Sequence, residues 1–252
     1  MPAAYRGVLF DLFGTLIGVD AERLPVLQLG DGHVRTTVGG LGDLVAECVP
    51  GVTLEEFARA LLAVSHEMAE ARATAHVELP SRERFRRALE RLGSTTATLG
   101  EAAVALSRAH MRMIVASTVF PPAHAALLAA ARAGHRVGVV TNFDDTGAAY
   151  DILARHGILE ALDTVVVSEA LGLRKPHPAV IRTGVRGLGL SADEVLFVGD
   201  TFAEDVAGAH AAGVAAAWLD PEARGIPAGA TPPRHVVRSL ADLHPILAAA
   251  AR

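Results

Sequence analysis

Four short apolar runs, each handing over to polar residues, constrain the fold of this chain more than any other feature. They are Gly7-Val8-Leu9-Phe10 before Asp11, Arg136-Val137-Gly138-Val139-Val140 before Thr141-Asn142, Thr164-Val165-Val166-Val167 before Ser168-Glu169, and Val195-Leu196-Phe197-Val198-Gly199 before Asp200. Runs this short suit strands buried on both faces, although periodicity alone does not separate them from buried helix. The intervening pattern predicts helices from Ala123 to Arg132, Gly147 to His156, Pro178 to Leu188 and Ala203 to Ala212. Ala217-Trp218, after Gly213, predicts a further strand, and Val236-Val237 an edge strand. Such strand–helix alternation predicts an α/β fold with a parallel sheet and helices on both faces.

Between the first and second runs lie roughly a hundred residues without a strongly buried strand. Leu54 to Ala71, Ser81 to Leu92 and Leu99 to Ser117 read as amphipathic helices. Thr53 followed by Glu56 has the capping-box pattern, and Ser81 after Pro80 marks a second helix start. Leu29-Gly30-Asp31-Gly32-His33-Val34 reads as a hairpin or loop. The expected division is an α/β core, 1–17 and 118–252, with a small α-helical cap domain, 18–117, inserted into it. Gly225 to Pro233 reads as a loop of the core.

The balance of charge, formally -5, gives no general attraction to nucleic acid or to an anionic membrane. A small anionic substrate must therefore be drawn in by local groups. The sole cysteine, Cys48, allows neither an intramolecular disulfide nor a cysteine metal cluster, which suits a reducing cytoplasm, and it reads as a small apolar filler on a helix. The start of the chain runs directly into a strand with no signal-peptide core, and no apolar stretch is long enough to cross a bilayer. The expected location is cytoplasmic. The alanine-rich cap helices offer a surface for a second subunit, and monomer and homodimer both stay open.

In open parallel sheets, ligands bind beyond the carboxyl ends of the strands. The polar residues that follow the apolar runs are expected to converge there: Asp11, Thr141, Asn142, Ser168, Glu169 with nearby Lys175, and Asp200. Three carboxylates, two hydroxyls, an amide and an ammonium make a reactive set. Asp11 in this place suits a carboxylate nucleophile, which splits one hard displacement into two easier ones. Its alternative is a helix N-cap. Gly14-Thr15 supplies a tight turn with backbone N–H groups for anionic oxygens. Lys175 precedes Pro176 and so sits on an extended or turn segment, where it can neutralise a developing anion. Asp11 and Asp200, with Asp205 nearby, would repel strongly in one pocket unless a cation or proton intervened, and Mg²⁺ is the hard ion that fits oxygen ligands best.

The four motifs, Asp11-Leu12-Phe13-Gly14-Thr15-Leu16, Val140-Thr141-Asn142, Lys175 in Gly172-Leu173-Arg174-Lys175-Pro176-His177-Pro178, and Val198-Gly199-Asp200-Thr201-Phe202-Ala203-Glu204-Asp205, resemble in order those of the haloacid-dehalogenase-like superfamily. The resemblance spans essentially the whole chain, and the helical insertion resembles the family's first-type cap. It implies a Rossmann-like core and Asp11 and Lys175 as catalytic residues. It also implies substrate or phosphate binding by Thr141, Asn142, Lys175, Phe13 and Gly14. For Mg²⁺ it implies Asp11, the main-chain carbonyl of Phe13 and Asp200 as ligands. Asp205 enters either as a further ligand or through water and the orientation of Lys175.

One position departs from the phosphatase members of that family. Two residues after the nucleophile they carry a general acid–base aspartate, and here the residue is Phe13. Loss of a well-placed acid–base group costs about a hundred- to ten-thousand-fold in rate. Three readings follow, in order. The first is a Mg²⁺-dependent phosphatase acting on a small phosphorylated metabolite, with the proton handled elsewhere, for which His33, His66 and His76 are candidates in the cap. The second is a 2-haloacid dehalogenase, whose halide leaves without a proton and whose carboxylate substrate needs a cation such as Arg35. The third is a non-catalytic binding protein on the same fold. Gly39-Gly40-Leu41-Gly42 lacks the spacing and lysine of a nucleotide P-loop.

Overall fold

The computed structural model describes residues 5–94 and 98–250. The chain opens with β1 (Gly7–Phe10) and leaves the sheet through β2 (Gly18–Val19). A hairpin of β3 (Val26–Leu29) and β4 (Gly32–Arg35) comes next. It is followed by α1 (Gly42–Cys48), α2 (Leu54–Ala75), α3 (Ser81–Arg91) and α4 (Leu99–Ser117). The return strand β5 (Thr118–Val119) pairs antiparallel with β2, Gly18 opposite Val119 and Val19 opposite Thr118, so exit and entry of the insert lie side by side.

Alternation then sets in: α5 (Pro122–Gly134), β6 (Arg136–Thr141), α6 (Thr146–Arg155), β7 (Thr164–Val167), α7 (Ser168–Leu171) and α8 (Pro178–Gly187). The chain closes with β8 (Val195–Gly199), α9 (Ala207–Ala212), β9 (Ala215–Leu219), β10 (His235–Val237) and α10 (Leu243–Ala250). Six strands form one parallel sheet in the order β10-β9-β8-β1-β6-β7, with β1 between β8 and β6.

Period-two alternation along each strand sorts its side chains between two cores. Val8, Phe10, Val137, Val139, Leu196 and Val198 face one side, where α5, α6 and α10 pack. Leu9, Val140, Val195 and Phe197 face the other, against α8 and α9. Both faces are therefore covered, as continuous apolar runs require. A third core belongs to the insert alone, built by Phe57, Leu61, Met68, Phe85, Leu89 and Leu106 with Leu27 of the hairpin.

The expected helix starts and stops hold with local shifts. Thr53 and Glu56 form the full capping box, and α2 runs on past Ala71 to Ala75 before His76 ends it in a left-handed conformation. At α3, Pro80 occupies the cap position and no side chain caps the helix. The region from 203 to 212 is not one α-helix. A π-turn, Phe202–Val206, precedes α9, and the wider turn keeps Asp205 buried beside the end of β8. Single π-turns of this kind commonly mark functional sites.

Candidate active site

Asp11 stands where β1 ends, its main-chain N–H donating to Val198 O at 2.8 Å. The chain then turns within four residues: Gly14 N–H donates to Ile17 O, and the N–H groups of Leu16 and Ile17 both donate to Leu12 O, all at 2.9 Å. Gly14 has φ +81, and a Cβ there would lie 2.7 Å from Asp200 Oδ2. Only glycine lets this loop lie against the carboxylate.

Lys175 is 1% exposed and reaches three oxygens at once. Its Nζ donates to Asp11 Oδ1 at 2.6 Å and to Val140 O at 2.9 Å, and it pairs with Asp205 Oδ1 at 2.8 Å. Asp205 is in turn fixed by the N–H of Thr201, which donates to Oδ2 at 2.9 Å. Gly199 makes room for it, since a Cβ there would lie 2.3 Å from the Asp205 carboxyl carbon. Asp200 is half-buried. Its carbonyl accepts from Trp218 Nε1 at 3.0 Å and from Arg224 Nη2 at 3.1 Å, and Thr15 Oγ1 reaches its Oδ1 at 3.5 Å.

Three carboxylates thus cluster here, two of them paired directly with the one ammonium of Lys175. Burial, with added repulsion from Asp205 and Asp200, raises Asp11 to about 7 against the pull of Lys175. Burial and the Asp205 charge also raise Asp200. Burial disfavours the charge on Lys175, but Asp11 and Asp205 outweigh it and hold the ammonium charged. The residual negative charge calls for a cation. Carboxylate oxygens of Asp11, Asp200 and Asp205 lie within 4.8 Å of one another. Both oxygens of Asp205 are engaged, by Thr201 N–H and by Lys175. Asp11 and Asp200 are therefore the acids able to turn an oxygen to a metal, and an all-oxygen set of this kind fits Mg²⁺.

The remaining expected residues fall around this centre with different tasks. Thr141 ends β6 and is buried. Asn142 is engaged at both ends of its amide: Oδ1 accepts from Lys175 N–H at 2.8 Å, while Nδ2 donates to Lys175 O at 3.0 Å and to Glu204 Oε2 at 2.8 Å. It clamps the Lys175 segment. Ser168 Oγ accepts from Phe143 N–H at 2.9 Å and donates toward Glu78 Oε2, also at 2.9 Å. Glu169 Oε2 accepts from Thr146 Oγ1 at 2.5 Å. Phe13 packs against Phe143 with ring centroids 4.9 Å apart. Both line a cavity of about 420 Å³ with Val19, Leu24, Ile114 and Arg35.

His33 and His66 are exposed, and His76 ends α2 with its carbonyl accepting from Arg174 N–H at 2.9 Å. None of the three lines the cavity beside Phe13. Arg35 does line it, but is exposed and paired with Glu22 at 2.7 Å. Cys48, half-buried at the end of α1, packs against the insert's core.

Sequence reasoning passed over an ionic chain leading away from Lys175. Arg174 pairs with Glu204 at 3.0 Å and with Glu78 at 3.3 Å, and Glu78 pairs with Arg72 at 2.7 Å. Arg72 also reaches Asp144 at 3.3 Å. Glu78 is 3% exposed and sits where the insert crosses the sheet's carboxyl edge, with Val77 bridged to Leu173. The available signals were adjacency alone, Arg174 beside Lys175 and Glu204 beside Asp205.

The profile of haloacid dehalogenase-like hydrolases matches residues 5–213, and the chain belongs to that family. A phosphoserine phosphatase of Thermus thermophilus is 34% identical over 142 residues, 56% of this chain and 55% of that protein. A phosphoglycolate phosphatase of Rhodospirillum rubrum is 42% identical over 101 residues, 40% of this chain and 41% of that protein. The matched stretch spans about half the length of these curated relatives, or less. In fold, the chain is similar to a 2-haloacid dehalogenase from Pseudomonas syringae pv. Tomato DC3000, with a TM-score of 0.73 at 22% identity over 97% of this chain and 99% of that one.

Proposed function

We propose that this chain is a Mg²⁺-dependent phosphatase acting on a small phosphorylated metabolite, with the insert 18–117 as a cap over the site. The observation that carries the reading is the excess of acid: Asp11 and Asp205 pair with the ammonium of Lys175, and Asp200 adds a third carboxylate, the three with oxygens within 4.8 Å of one another. A dehalogenase gains little from that charge, whereas a transferring phosphoryl group needs a cation beside it. The curated relatives bearing phosphatase names support the same choice.

Asp11 attacks phosphorus through a carboxylate oxygen, the bond from phosphorus to the ester oxygen breaks, and a phosphoaspartate forms. Water then attacks phosphorus, releasing phosphate and restoring the carboxylate. Lys175 keeps Asp11 aimed through its 2.6 Å hydrogen bond and offsets negative charge that grows in the transition state. Asp11, Asp200 and the main-chain carbonyl of Phe13 would hold Mg²⁺, which when bound would supply charge neutralisation at the phosphoryl oxygens. Asp205 stays behind Lys175 as its anchor. Phe13 moves no proton, so substrates whose leaving oxygen is already a weak base are favoured.

The experiment is hydrolysis of p-nitrophenyl phosphate with and without EDTA, in the native chain and in Asp11→Asn. Activity is expected to vanish in both the chelated and the substituted enzyme. Halide release from 2-chloropropionate without metal would instead establish the second reading, a dehalogenase. That alternative draws on one feature of the site, the Phe13–Phe143 pair walling an apolar cavity where a general acid would stand.

A further inference from the structure

Three polar side chains of the insert have no part in the chemistry above. Thr37, Arg84 on α3 and His110 on α4 form a chain in which Arg84 Nη2 lies 3.1 Å from His110 Nε2 and His110 Nδ1 lies 2.6 Å from Thr37 Oγ1. Thr37 and His110 are buried, and the imidazole packs against Phe85 with ring centroids 5.4 Å apart. The chemistry of one end fixes the direction of the whole chain. A guanidinium can only donate. His110 Nε2 must therefore accept, and the one ring hydrogen of the neutral imidazole sits on Nδ1. Burial, reinforced by the charge of Arg84, holds His110 down to about 3, so the ring stays neutral near pH 7.

Nδ1 then donates to Thr37 Oγ1, and the Thr37 hydroxyl has to give its own hydrogen to something else. Among the described residues it makes no other hydrogen bond. A buried hydroxyl held as a donor with no acceptor is an unfavourable arrangement. Thr37 stands between two cavities, one of about 300 Å³ lined by insert residues including Arg84 and His110, and the one beside Phe13. Only the second is also lined by residues at the sheet's carboxyl edge, Phe13 and Asn142. Among the other polar groups of that cavity, Asn142 is tied to Lys175 and Glu204, and Ser117 Oγ donates to Ile114 O at 2.8 Å. Thr36 Oγ1 only accepts, from Val38 N–H at 3.4 Å, but Thr36 is half-buried, so water can take its hydrogen, whereas Thr37 is buried. Arg35 is held at the rim by Glu22 Oε2 and by the carbonyls of Glu22 and Leu24.

We infer that the Thr37 hydroxyl, set as a donor by His110 and Arg84, recognises an acceptor oxygen on the end of the substrate remote from the group Asp11 attacks. The inference rests on the proposed hydrolase reading, which makes the cavity beside Phe13 the substrate cavity. It adds a class: the substrate is a short molecule with a carboxylate or hydroxyl oxygen at its far end, rather than a plain alkyl ester. Thr37 is thus a specificity residue, and His110 and Arg84 act through it.

Calorimetric binding of non-hydrolysable phosphonates, in the presence of Mg²⁺, tests this apart from turnover. 3-Phosphonopropionate and 3-hydroxypropylphosphonate are each compared with propylphosphonate. In the native chain at least one acceptor-bearing ligand is expected to bind about 3- to 10-fold tighter than propylphosphonate, the range of one hydrogen bond. In Thr37→Val the affinities converge, and in Thr37→Ser, which keeps the hydroxyl, the preference returns. Which of the two ligands shows the preference tells carboxylate from hydroxyl. Equal affinities in the native chain, or a preference that survives in Thr37→Val, would overturn the inference while p-nitrophenyl phosphate hydrolysis leaves the phosphatase reading intact. The converse, a Thr37-dependent preference without any phosphate-ester turnover, would uphold the subsite and remove the phosphatase. No binding of any of the three phosphonates overturns the inference as well.

Discussion

Glu78→Ala takes one carboxylate from the middle of three donors. Glu78 pairs with Arg72 at 2.7 Å and with Arg174 at 3.3 Å, and Ser168 Oγ lies 2.9 Å from its Oε2. Its side chain is 1% exposed, against 18% for each arginine, so the pairing takes place largely out of water. Removing one partner of a buried pair costs roughly 3–5 kcal/mol, because the other charge is left uncompensated. Here each arginine keeps a second carboxylate, Asp144 at 3.3 Å for Arg72 and Glu204 at 3.0 Å for Arg174. The expected loss therefore falls at the low end, about 3 kcal/mol. Urea unfolding measures it. With a slope of about 3 kcal/mol per molar, the midpoint drops by about 1 M. A double-mutant cycle with Arg174→Ala should return a coupling of about 1–3 kcal/mol. Glu78→Gln, which keeps an acceptor for Ser168 and loses only the charge, should fall between native and Ala. A loss under about 1 kcal/mol for Glu78→Ala, the range of exposed ion pairs, would refute the claim that this contact is a buried tie between insert and sheet.

Phe13→Asp is expected to raise turnover of alkyl phosphates by about a hundred-fold or more, with far less effect on p-nitrophenyl phosphate, and parallel assays of the two esters check it. Under the proposed Mg²⁺ dependence, Asp200→Asn should move the midpoint of activity against free Mg²⁺ to higher metal concentration. Stability should fall in acid through His110. Its folded value, about 3, lies below the value near 6.5 that an unfolded histidine takes. Between those limits the unfolded chain holds the extra proton. The contribution is thus complete above pH 6.5 and falls by about 1.4 kcal/mol per unit as pH drops through the window. His110→Gln, able to accept from Arg84 and donate to Thr37, should flatten that slope in urea titrations from pH 7 to pH 4.

The centre of the site was legible because it depends on local order. Asp11, Thr141, Ser168 and Asp200 each follow an apolar run, and a parallel sheet brings all such positions to one edge whatever the details of packing. The capping box at Thr53 was legible for the same reason, being settled within four residues. What depends on distant partners was not. The sequence placed Asn142 at the site but could not show that its amide closes on Lys175, 33 positions away. Nothing in the local sequence singles out Glu78, whose role comes only from the place where the insert crosses Leu173. The helix expected from Ala203 begins as a π-turn, since Asp205 has to stay beneath Lys175 and a regular α-turn would rotate it.

The position of Glu78 also decides where this molecule can be cut and rejoined. By chain order the insert is a detachable cassette, entering at Gly18 and leaving at Thr118, where two short strands pair. By contacts the seam runs elsewhere, through a carboxylate that the insert plants beneath the loop holding Lys175. A graft that exchanges the cassette at its chain ends, without carrying Arg72 and Glu78 along with their partner Arg174, would set a new insert on an unsettled floor. Exchange of such inserts among related chains therefore has to keep these three residues as one unit of inheritance, although 102 positions separate the first from the last.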